Sequence, residues 1–151
     1  MNILFVCTGN TCRSCMAEAI FNSINDLEDY MAVSAGAAAI PSTFTSVNSA
    51  KIVKDKLGVD ISKRASVKLD RKHLEEASLI LTMTKSIRDY LVSVFPELKN
   101  KIYSLNEYVG KSGEISDPYG GSIEIYSSTF EQLMENIKLL IAKLKGDNSI
   151  S

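Results

Sequence analysis

The order in which two kinds of apolar pattern follow each other along the chain constrains its fold most strongly. Short runs that are apolar at nearly every position, such as 2–6 and 78–83, are typical of strands buried on both faces of a parallel sheet. Between them lie stretches with apolar residues at helical spacing, such as Ala17, Ile20 and Ile24. Strands that alternate with helices form right-handed crossovers. We therefore expect a three-layer α/β fold with a parallel sheet between helices.

Two further strands and two further helices follow from the same patterns. Strands are expected at 31–34 and 101–105. Apolar residues at helical spacing predict helices over 47–57 and 87–94, the first closed by Gly58 and the second stopped by the proline that follows. In folds of this class, ligands bind at the carboxyl ends of the strands, which directs attention to the loop after the first strand.

The clearest helical pattern closes the chain. Ser128 and Glu131 have the spacing of a capping box, which predicts that the helix begins there. One apolar stripe follows and is expected to pack on the sheet rather than to form a partner groove: Phe130, Leu133, Met134, Ile137, Leu140, Ile141 and Leu144. A chain of 151 residues makes one core and not two. We expect a single domain over 1–146 and a frayed tail at 147–151.

Composition argues against several classes of function. With 45% apolar residues, 23% charged residues and a net charge of −1, the chain has the composition of a globular domain. That charge disfavours a broad surface for nucleic acid or an anionic membrane. No apolar run reaches the length of a membrane span. The N-terminus lacks a basic flank and a cleavage site, so we expect no signal peptide and a cytoplasmic location.

Three cysteines, Cys7, Cys12 and Cys15, lie close together near the N-terminus. An odd number clustered at one end is not a disulfide framework and indicates thiol chemistry or a metal. A metal site is disfavoured because the single histidine, His73, is far away and no second cysteine pair completes four ligands. We therefore expect neither a metal nor a cofactor.

The segment between the first strand and the first helix has the character of an anion-binding loop. Gly9 and Asn10 tolerate left-handed backbone, Arg13 offers a planar fork for two oxygens, and the helix N-terminus adds partial positive charge. The standard nucleotide loop is absent because no Gly-Lys-Ser/Thr sequence follows. The predicted phosphate-binding residues are Thr8, Gly9, Asn10, Thr11, Cys12, Arg13 and Ser14.

The same environment acts on Cys7. A thiol among N–H donors, a helix N-terminus and an arginine is expected to ionise readily, and a thiolate is the nucleophile for phosphoryl transfer through a covalent intermediate. Ser14 is placed to hydrogen-bond that thiolate and stabilise it as the leaving group of a second step. Without this context, the residues would be a buried cysteine and a surface arginine.

At these residues the chain resembles the low-molecular-weight protein tyrosine phosphatase family over nearly its whole length. The motif from Cys7 to Ser14 opens it, Ser34-Ala35-Gly36 follows the first helix, and Asp117-Pro118-Tyr119-Gly120 precedes the last helix. The resemblance implies the flavodoxin-like fold of that family, with a four-stranded parallel sheet in the order 2-1-3-4. It implies Cys7 as nucleophile, Arg13 as transition-state clamp and Asp117 as general acid. We expect a monomer that acts on phosphorylated proteins.

Asp117 has a weaker case from the residues alone. A departing oxygen or nitrogen needs a proton, and His73 lies in a charged stretch that is typical of a solvated helix face. Asp117 occupies a turn-forming segment of the kind that often carries function. The alternative from composition is an ordinary turn aspartate.

Within that family the sequence favours phosphoarginine over phosphotyrosine as substrate. The bacterial protein-arginine phosphatase branch resembles this chain at Thr11, where tyrosine-directed members usually carry a bulkier aliphatic residue. Tyr119 is followed by glycines rather than a second aromatic, and Ile40 closes a stretch where tyrosine-directed members often place a tryptophan. A phenyl phosphate gains from aromatic stacking, whereas a guanidinium gains from a carboxylate such as Asp117. The alternative is that Thr11 is a neutral variant.

Two positions depart from the family pattern. Cys15 stands where the family has a proline that pre-sets the first helical turn. Lys63 and Arg64 stand near the place of a histidine that helps to order the active-site loop together with the equivalents of Asn10 and Ser34. The resemblance also implies a reversible disulfide between Cys7 and Cys12, although Cys12 in isolation is equally a small buried apolar residue.

Three alternatives remain at this point. The first is a protein-tyrosine phosphatase of the same family. The second is a thioredoxin-coupled arsenate reductase, which is disfavoured because it needs further cysteines in mid-chain and none follows Cys15. The third is a phosphate-binding or redox-sensing module without turnover, which would not need Asp117.

Overall fold

The computed structural model describes the backbone of residues 1–150 and the side chains of residues 1–146. The strands are β1 (Asn2–Cys7), β2 (Met31–Gly36), β3 (Ala77–Thr82) and β4 (Ile102–Ser104). The helices are α1 (Arg13–Ile24), α2 (Val47–Leu57), α3 (Arg71–Glu76), α4 (Lys85–Val94), α5 (Leu105–Tyr108) and α6 (Ile123–Ile150), with a 3-10 helix at Pro96–Lys101.

The four strands form one parallel sheet in the order β2-β1-β3-β4. This confirms the predicted strand order. β1 lies in the centre and pairs with β2 in register from Asn2 opposite Met31 to Cys7 opposite Gly36. The ends of these two strands therefore lie side by side at the carboxyl edge, where Cys7 begins the first loop.

A hydrophobic core lies on each face of the sheet, because alternate residues of a strand point to opposite faces. Ile3 and Phe5 belong to the core formed with α1, α2 and α6, while Leu4 and Val6 belong to the core formed with α3 and α4. All four residues have 0% exposure. This explains why the strand is apolar throughout and confirms the three-layer arrangement.

The predicted start of the last helix was wrong. Helix α6 begins at Ile123, so Ser128 and Glu131 lie inside it rather than at its cap. Ser122 takes the capping role, since its hydroxyl accepts from the backbone N–H of Ile125 at 3.4 Å. The apolar stripe is nevertheless buried as expected, with Met134 only partly buried.

Smaller corrections concern the ends of strands. β1 and β2 run further than predicted, to Cys7 and Gly36, and β4 is shorter because Leu105 already belongs to α5. The Ser104 hydroxyl caps α5 by accepting from the N–H of Glu107. The predicted fraying at 147–151 falls mostly outside the fully described residues and stays a prediction, as does the domain boundary. No helix in the described part of the chain has the length and apolar content needed to cross a bilayer.

Candidate active site

The loop between β1 and α1 wraps around the sulfur of Cys7. Cys7 is the last residue of β1 and Arg13 the first of α1, so residues 8–12 turn at the carboxyl edge of the sheet. The backbone N–H of Asn10 donates to Cys7 Sγ at 3.1 Å, and Ser14 Oγ lies 2.8 Å from the same atom. Asn10 has φ of 56°, the left-handed backbone that the sequence led us to expect near Gly9 and Asn10. Cys7 is 3% exposed.

A cavity of about 460 Å³ opens above this loop. It brings together residues from the first loop, from the segment after β2 and from the segment before α6. The lining residues are Cys7, Thr8, Gly9, Thr11, Cys12, Arg13, Ala38, Ile40, Thr43, Asp117 and Tyr119. Of the predicted site residues, Asn10 and Ser14 lie outside this lining, since both have 0% exposure and support the loop from behind.

Arg13 and Asp117 form an ion pair at the cavity. Arg13 Nη2 lies 3.7 Å from Asp117 Oδ2, and Arg13 Nη1 donates to the carbonyl oxygen of Ile115 at 3.2 Å. The arginine side chain is 8% exposed and the aspartate side chain 58%. The backbone N–H of Tyr119 donates to Asp117 Oδ1 at 3.0 Å, which orients the carboxylate within its turn. A solvent-exposed carboxylate therefore faces a buried guanidinium.

Gly36 lets β2 approach the loop closely. A Cβ atom on this residue would lie 2.6 Å from the carbonyl oxygen of Thr8 and 2.9 Å from the backbone nitrogen of Asn10. Two backbone hydrogen bonds extend this contact: Ala37 N–H donates to Cys7 O and Ala38 N–H donates to Thr8 O, both at 2.8 Å. The segment after β2 thus supports the loop directly, which is a physical reason for glycine in Ser34-Ala35-Gly36.

The side chain of Asn10 is the centre of a buried hydrogen-bond network. Its Oδ1 accepts from Arg64 Nη1 and from the backbone N–H of Val67, both at 2.9 Å. Its Nδ2 donates to Ser14 Oγ at 2.7 Å and to Ser34 Oγ at 3.0 Å. Both lone pairs of the oxygen and both N–H groups of the amide are therefore engaged, as a fully buried amide requires.

The family model described as low molecular weight phosphotyrosine protein phosphatase matches residues 2–149. The chain belongs to this family. The protein-arginine-phosphatase of Geobacillus stearothermophilus is 40% identical over 146 residues, which cover 96% of this chain and 97% of that one. The low molecular weight protein-tyrosine-phosphatase PtpB of Staphylococcus haemolyticus is 40% identical over 148 residues, which cover 98% and 100%.

A solved structure resembles the whole of this chain. A mutant of YwlE arginine phosphatase, with serine in place of a cysteine and that active-site serine phosphorylated, is 37% identical with a TM-score of 0.92 and covers 100% of both chains. The family and the fold predicted from the sequence are both confirmed. The protein is therefore a low-molecular-weight phosphatase.

Arg64 takes part in a hydrogen-bond network behind the loop of this phosphatase. The sequence left the loop-ordering network uncertain at Lys63 and Arg64. Arg64 contacts Asn10 as described and also donates from Nη2 to Ser34 Oγ at 2.6 Å. Sequence reasoning missed Glu18, which pairs with Arg64 across 3.2 Å and accepts from Ser34 at 3.0 Å. No local signal marks these contacts, because the partners lie far apart along the chain.

The other two cysteines of the phosphatase lie in the loop and in the first turn of α1. Cys15 is 0% exposed and donates from Sγ to the carbonyl oxygen of Cys12 at 3.1 Å. Burial raises the pKa of the Cys15 thiol strongly, which keeps it protonated. Cys12 Sγ lies 3.5 Å from both Ser46 Oγ and Tyr126 Oη. Burial, together with the hydrogen bond to Cys12, raises the pKa of Tyr126 to about 12.

Tyr126 is a further residue that sequence reasoning missed. It belongs to the first turns of α6, ahead of the predicted start of that helix, and is 4% exposed. Its hydroxyl reaches the loop while its ring packs in the core beneath the sheet. In the described part of the chain, no three His, Cys, Asp or Glu side chains are grouped so that they would hold a metal ion.

Proposed function

We propose that this phosphatase removes phosphoryl groups from phosphoarginine residues of proteins, through a phosphocysteine on Cys7. The observation that carries the proposal is the cavity with the Cys7 loop as its floor and the Asp117 carboxylate at its mouth, 3.7 Å from Arg13. A nucleophile, an anion clamp and an acid lie around one space of a size that admits a modified side chain.

In the first step, Cys7 Sγ as thiolate attacks phosphorus and the bond from phosphorus to the substrate nitrogen breaks. Loop N–H groups and the Arg13 guanidinium bind the three equatorial oxygens, which carry the charge of the transition state. Asp117, entering as the carboxylic acid, gives its proton to the departing nitrogen. The exposure of its side chain, 58%, allows it to exchange protons with solvent between steps.

In the second step, water attacks phosphorus and the bond to Cys7 Sγ breaks. Asp117, now a carboxylate, takes a proton from that water, so inorganic phosphate leaves and the acid is restored. The thiolate is the leaving group. Ser14 Oγ at 2.8 Å and the N–H of Asn10 at 3.1 Å support it, because both can donate to a negative sulfur.

The residues that line the cavity favour phosphoarginine as the substrate. Among the described lining residues Tyr119 is the single aromatic, and it is 81% exposed rather than packed as one side of a slot. Thr11, Thr43 and Asp117 add polar groups to the wall. The N–H groups of a guanidinium can donate to the oxygens of the Asp117 carboxyl group, whereas a phenyl ring would contact one aromatic face only.

Phosphotyrosine is the second candidate substrate. Tyr119 and Ile40 are exposed apolar side chains at the mouth, by 81% and 67%, and a phenyl ring would cover both. The S. haemolyticus relative is named a tyrosine phosphatase and is as similar in sequence as the arginine phosphatase. Family membership alone therefore does not choose between the two, and the wall of the cavity is the basis of our preference.

The test compares matched phosphoarginine and phosphotyrosine peptides with wild type and three variants. Wild type is expected to prefer phosphoarginine in kcat/KM, and Thr11→Ile to shift toward phosphotyrosine. Thr11→Ser, which keeps the hydroxyl and loses one methyl group, is the control and should keep the wild-type preference. Thr11→Val, which keeps the volume and loses the hydroxyl, distinguishes whether the size or the hydroxyl of Thr11 selects the substrate. A wild type that strongly prefers phosphotyrosine would contradict the substrate assignment.

The enzymatic role itself is tested with an artificial aryl phosphate. Wild type, Cys7→Ser and Asp117→Asn are compared at equal concentration of folded protein. Wild type should turn over, Cys7→Ser should fall far below it, and Asp117→Asn should lose less when the phenol is acidic enough to leave without a proton. Equal near-zero rates in all three would favour a phosphate-binding module without turnover. We further infer that the enzyme acts as a cytoplasmic monomer on phosphorylated proteins, which sedimentation and cell fractionation would check.

A further inference from the structure

We propose that Arg64 is a positioning residue for the nucleophile: it fixes the Asn10 amide in the one orientation that leaves the Ser14 hydroxyl free to donate to Cys7. The inference rests on the proposed role of Cys7 as nucleophile. It concerns an arginine that belongs to no element of the sheet or helices and reaches the loop through its side chain alone.

The orientation of the Asn10 amide follows from its partners. Arg64 Nη1 and the N–H of Val67 are both donors and both lie 2.9 Å from the atom assigned as Oδ1. A flipped amide would turn its NH2 group toward two other donors, and such an arrangement has no acceptor. The two donors therefore direct Nδ2 to Ser14 and Ser34. The backbone N–H of Val67 and the guanidinium of Arg64 together set the orientation of the amide. Of these two donors, only the guanidinium can be removed by a side-chain substitution.

The orientation of the amide decides what Ser14 does. Ser14 Oγ accepts from Asn10 Nδ2 at 2.7 Å and lies 2.8 Å from Cys7 Sγ. Because a lone pair of the hydroxyl is occupied by the amide, its single hydrogen is left to point at the sulfur. A hydroxyl that donates stabilises the thiolate form of Cys7, and it also stabilises the same thiolate as leaving group.

Arg64 is itself held at both ends of its guanidinium. Nε lies 3.2 Å from Glu18 Oε2 and Nη2 lies 3.3 Å from Glu18 Oε1, which is a bidentate ion pair. The side chains of Arg64 and Glu18 are only 17% and 22% exposed. Nη2 also donates to Ser34 Oγ at 2.6 Å, and Ser34 in turn donates to Glu18. Ion pairs and hydrogen bonds on both edges of the guanidinium therefore hold Arg64 in place.

Arg64 can be reached from a space separate from the active-site cavity. A second cavity of about 260 Å³ is lined by Arg64, Glu18, Ser34 and Val67, and it shares no lining residue with the first. His73 and Glu76 of α3 are the other titratable groups that line it. If the Arg64 side chain is removed, a small cation of the same shape has a path to the vacated position beside Glu18.

The first test follows the alkylation of Cys7 by iodoacetamide as a function of pH, since that rate reports the thiolate without any phosphoryl substrate. Arg64→Gln is expected to move the profile up by about one pH unit, which is roughly tenfold slower alkylation on the acid side. We expect kcat/KM to fall by at least about tenfold as well. Failure of the proposed substrate would leave the alkylation result intact, so the two failures are distinguishable.

Arg71→Gln is the matched control, because Arg71 also pairs with two carboxylates, those of Glu75 and Glu97, but lies away from the loop. It should leave both readouts unchanged. Arg64→Lys keeps the charge beside Glu18 and so protects the fold, but one ammonium cannot reproduce the fork that spans Glu18 and Asn10. Its alkylation profile is expected to shift in the same direction.

The second test is chemical rescue. Guanidinium at concentrations far below denaturing is expected to restore alkylation and turnover of Arg64→Ala, while urea, which has the same shape without charge, is not. A folded Arg64→Gln or Arg64→Lys protein with the wild-type alkylation profile would overturn the proposal. Equal rescue by guanidinium and urea, or rescue by neither, would count against it in the same way. Thermal unfolding establishes that each variant compared is folded.

Discussion

Replacing Gly36 by alanine should damage catalysis more than stability. The added Cβ would lie 2.6 Å from Thr8 O and 2.9 Å from Asn10 N, both backbone atoms that no rotamer change can move aside. To reach ordinary contact distance, the loop must retreat by roughly 0.5–0.8 Å, taking with it the N–H groups that surround Cys7. Overpacking of this kind costs about 1–3 kcal/mol. Misplacement approaching 1 Å in an active site costs about a hundredfold in rate.

The assay is kcat/KM together with the midpoint of thermal unfolding, Tm. We expect Gly36→Ala to lose about a hundredfold in kcat/KM while Tm falls by about 3–10 °C, so that the protein stays folded at 25 °C. Gly146→Ala is the matched control, because a Cβ there meets no atom within 4 Å and the residue lies in α6. It should keep full activity and gain slightly in Tm. A Gly36→Ala enzyme with wild-type kcat/KM would refute the reasoning that β2 sets the position of the loop.

Three further predictions concern single side chains. Asp117→Asn should lower kcat/KM by about 10²–10⁴ for phosphopeptides but much less for an aryl phosphate with an acidic phenol, because that leaving group needs no proton; equal losses for both would contradict the acid role. Hydrogen peroxide should produce a Cys7–Cys12 disulfide that a thiol reverses, detected by mass spectrometry, and Cys12→Ser should lose activity irreversibly instead. Burial raises the pKa of the Cys15 thiol above its ordinary 9.0. The unfolded chain therefore loses this proton before the folded protein does, and the free energy of unfolding should decline as the pH rises above 9. Urea unfolding near pH 8 and pH 10.5 should show a smaller loss for Cys15→Ala than for wild type, and equal losses would refute this assignment.

Much of the fold could be predicted from the sequence because it depends on patterns within single segments. β1 and β3 are apolar on both faces, which occurs only in a sheet covered on both sides, and the alternation with helices then determines parallel strands. The loop from Cys7 to Arg13 was predictable for the same reason, since a glycine, an asparagine and an arginine at a strand–helix junction are local information.

The supports of the site could not be predicted, because they join residues that are distant in sequence. Arg64 and Glu18 are 46 positions apart, and Arg64 and Asn10 are 54 apart. The resemblance to the family directed attention to Lys63 and Arg64, but no local pattern distinguishes Arg64 from a surface arginine. The start of α6 was misjudged for a different reason: Ser128 and Glu131 have capping spacing, but Ser122 comes directly after two glycines and caps the helix first. Tyr126 was missed as a consequence of that error.

The central claim is that Cys7 attacks phosphorus and carries the phosphoryl group. It is tested most directly by acid quenching during turnover of an aryl phosphate with an acidic phenol, followed by mass spectrometry of the peptide that contains Cys7. Asp117→Asn is included because this leaving group departs without a proton, so the intermediate still forms, while loss of the base slows its hydrolysis and raises its amount. The account predicts a phosphoryl group on Cys7, more abundant in Asp117→Asn and absent in Cys7→Ala. Continued turnover by Cys7→Ala, or steady turnover by wild type with no phosphoryl group on Cys7 in either protein, would contradict it.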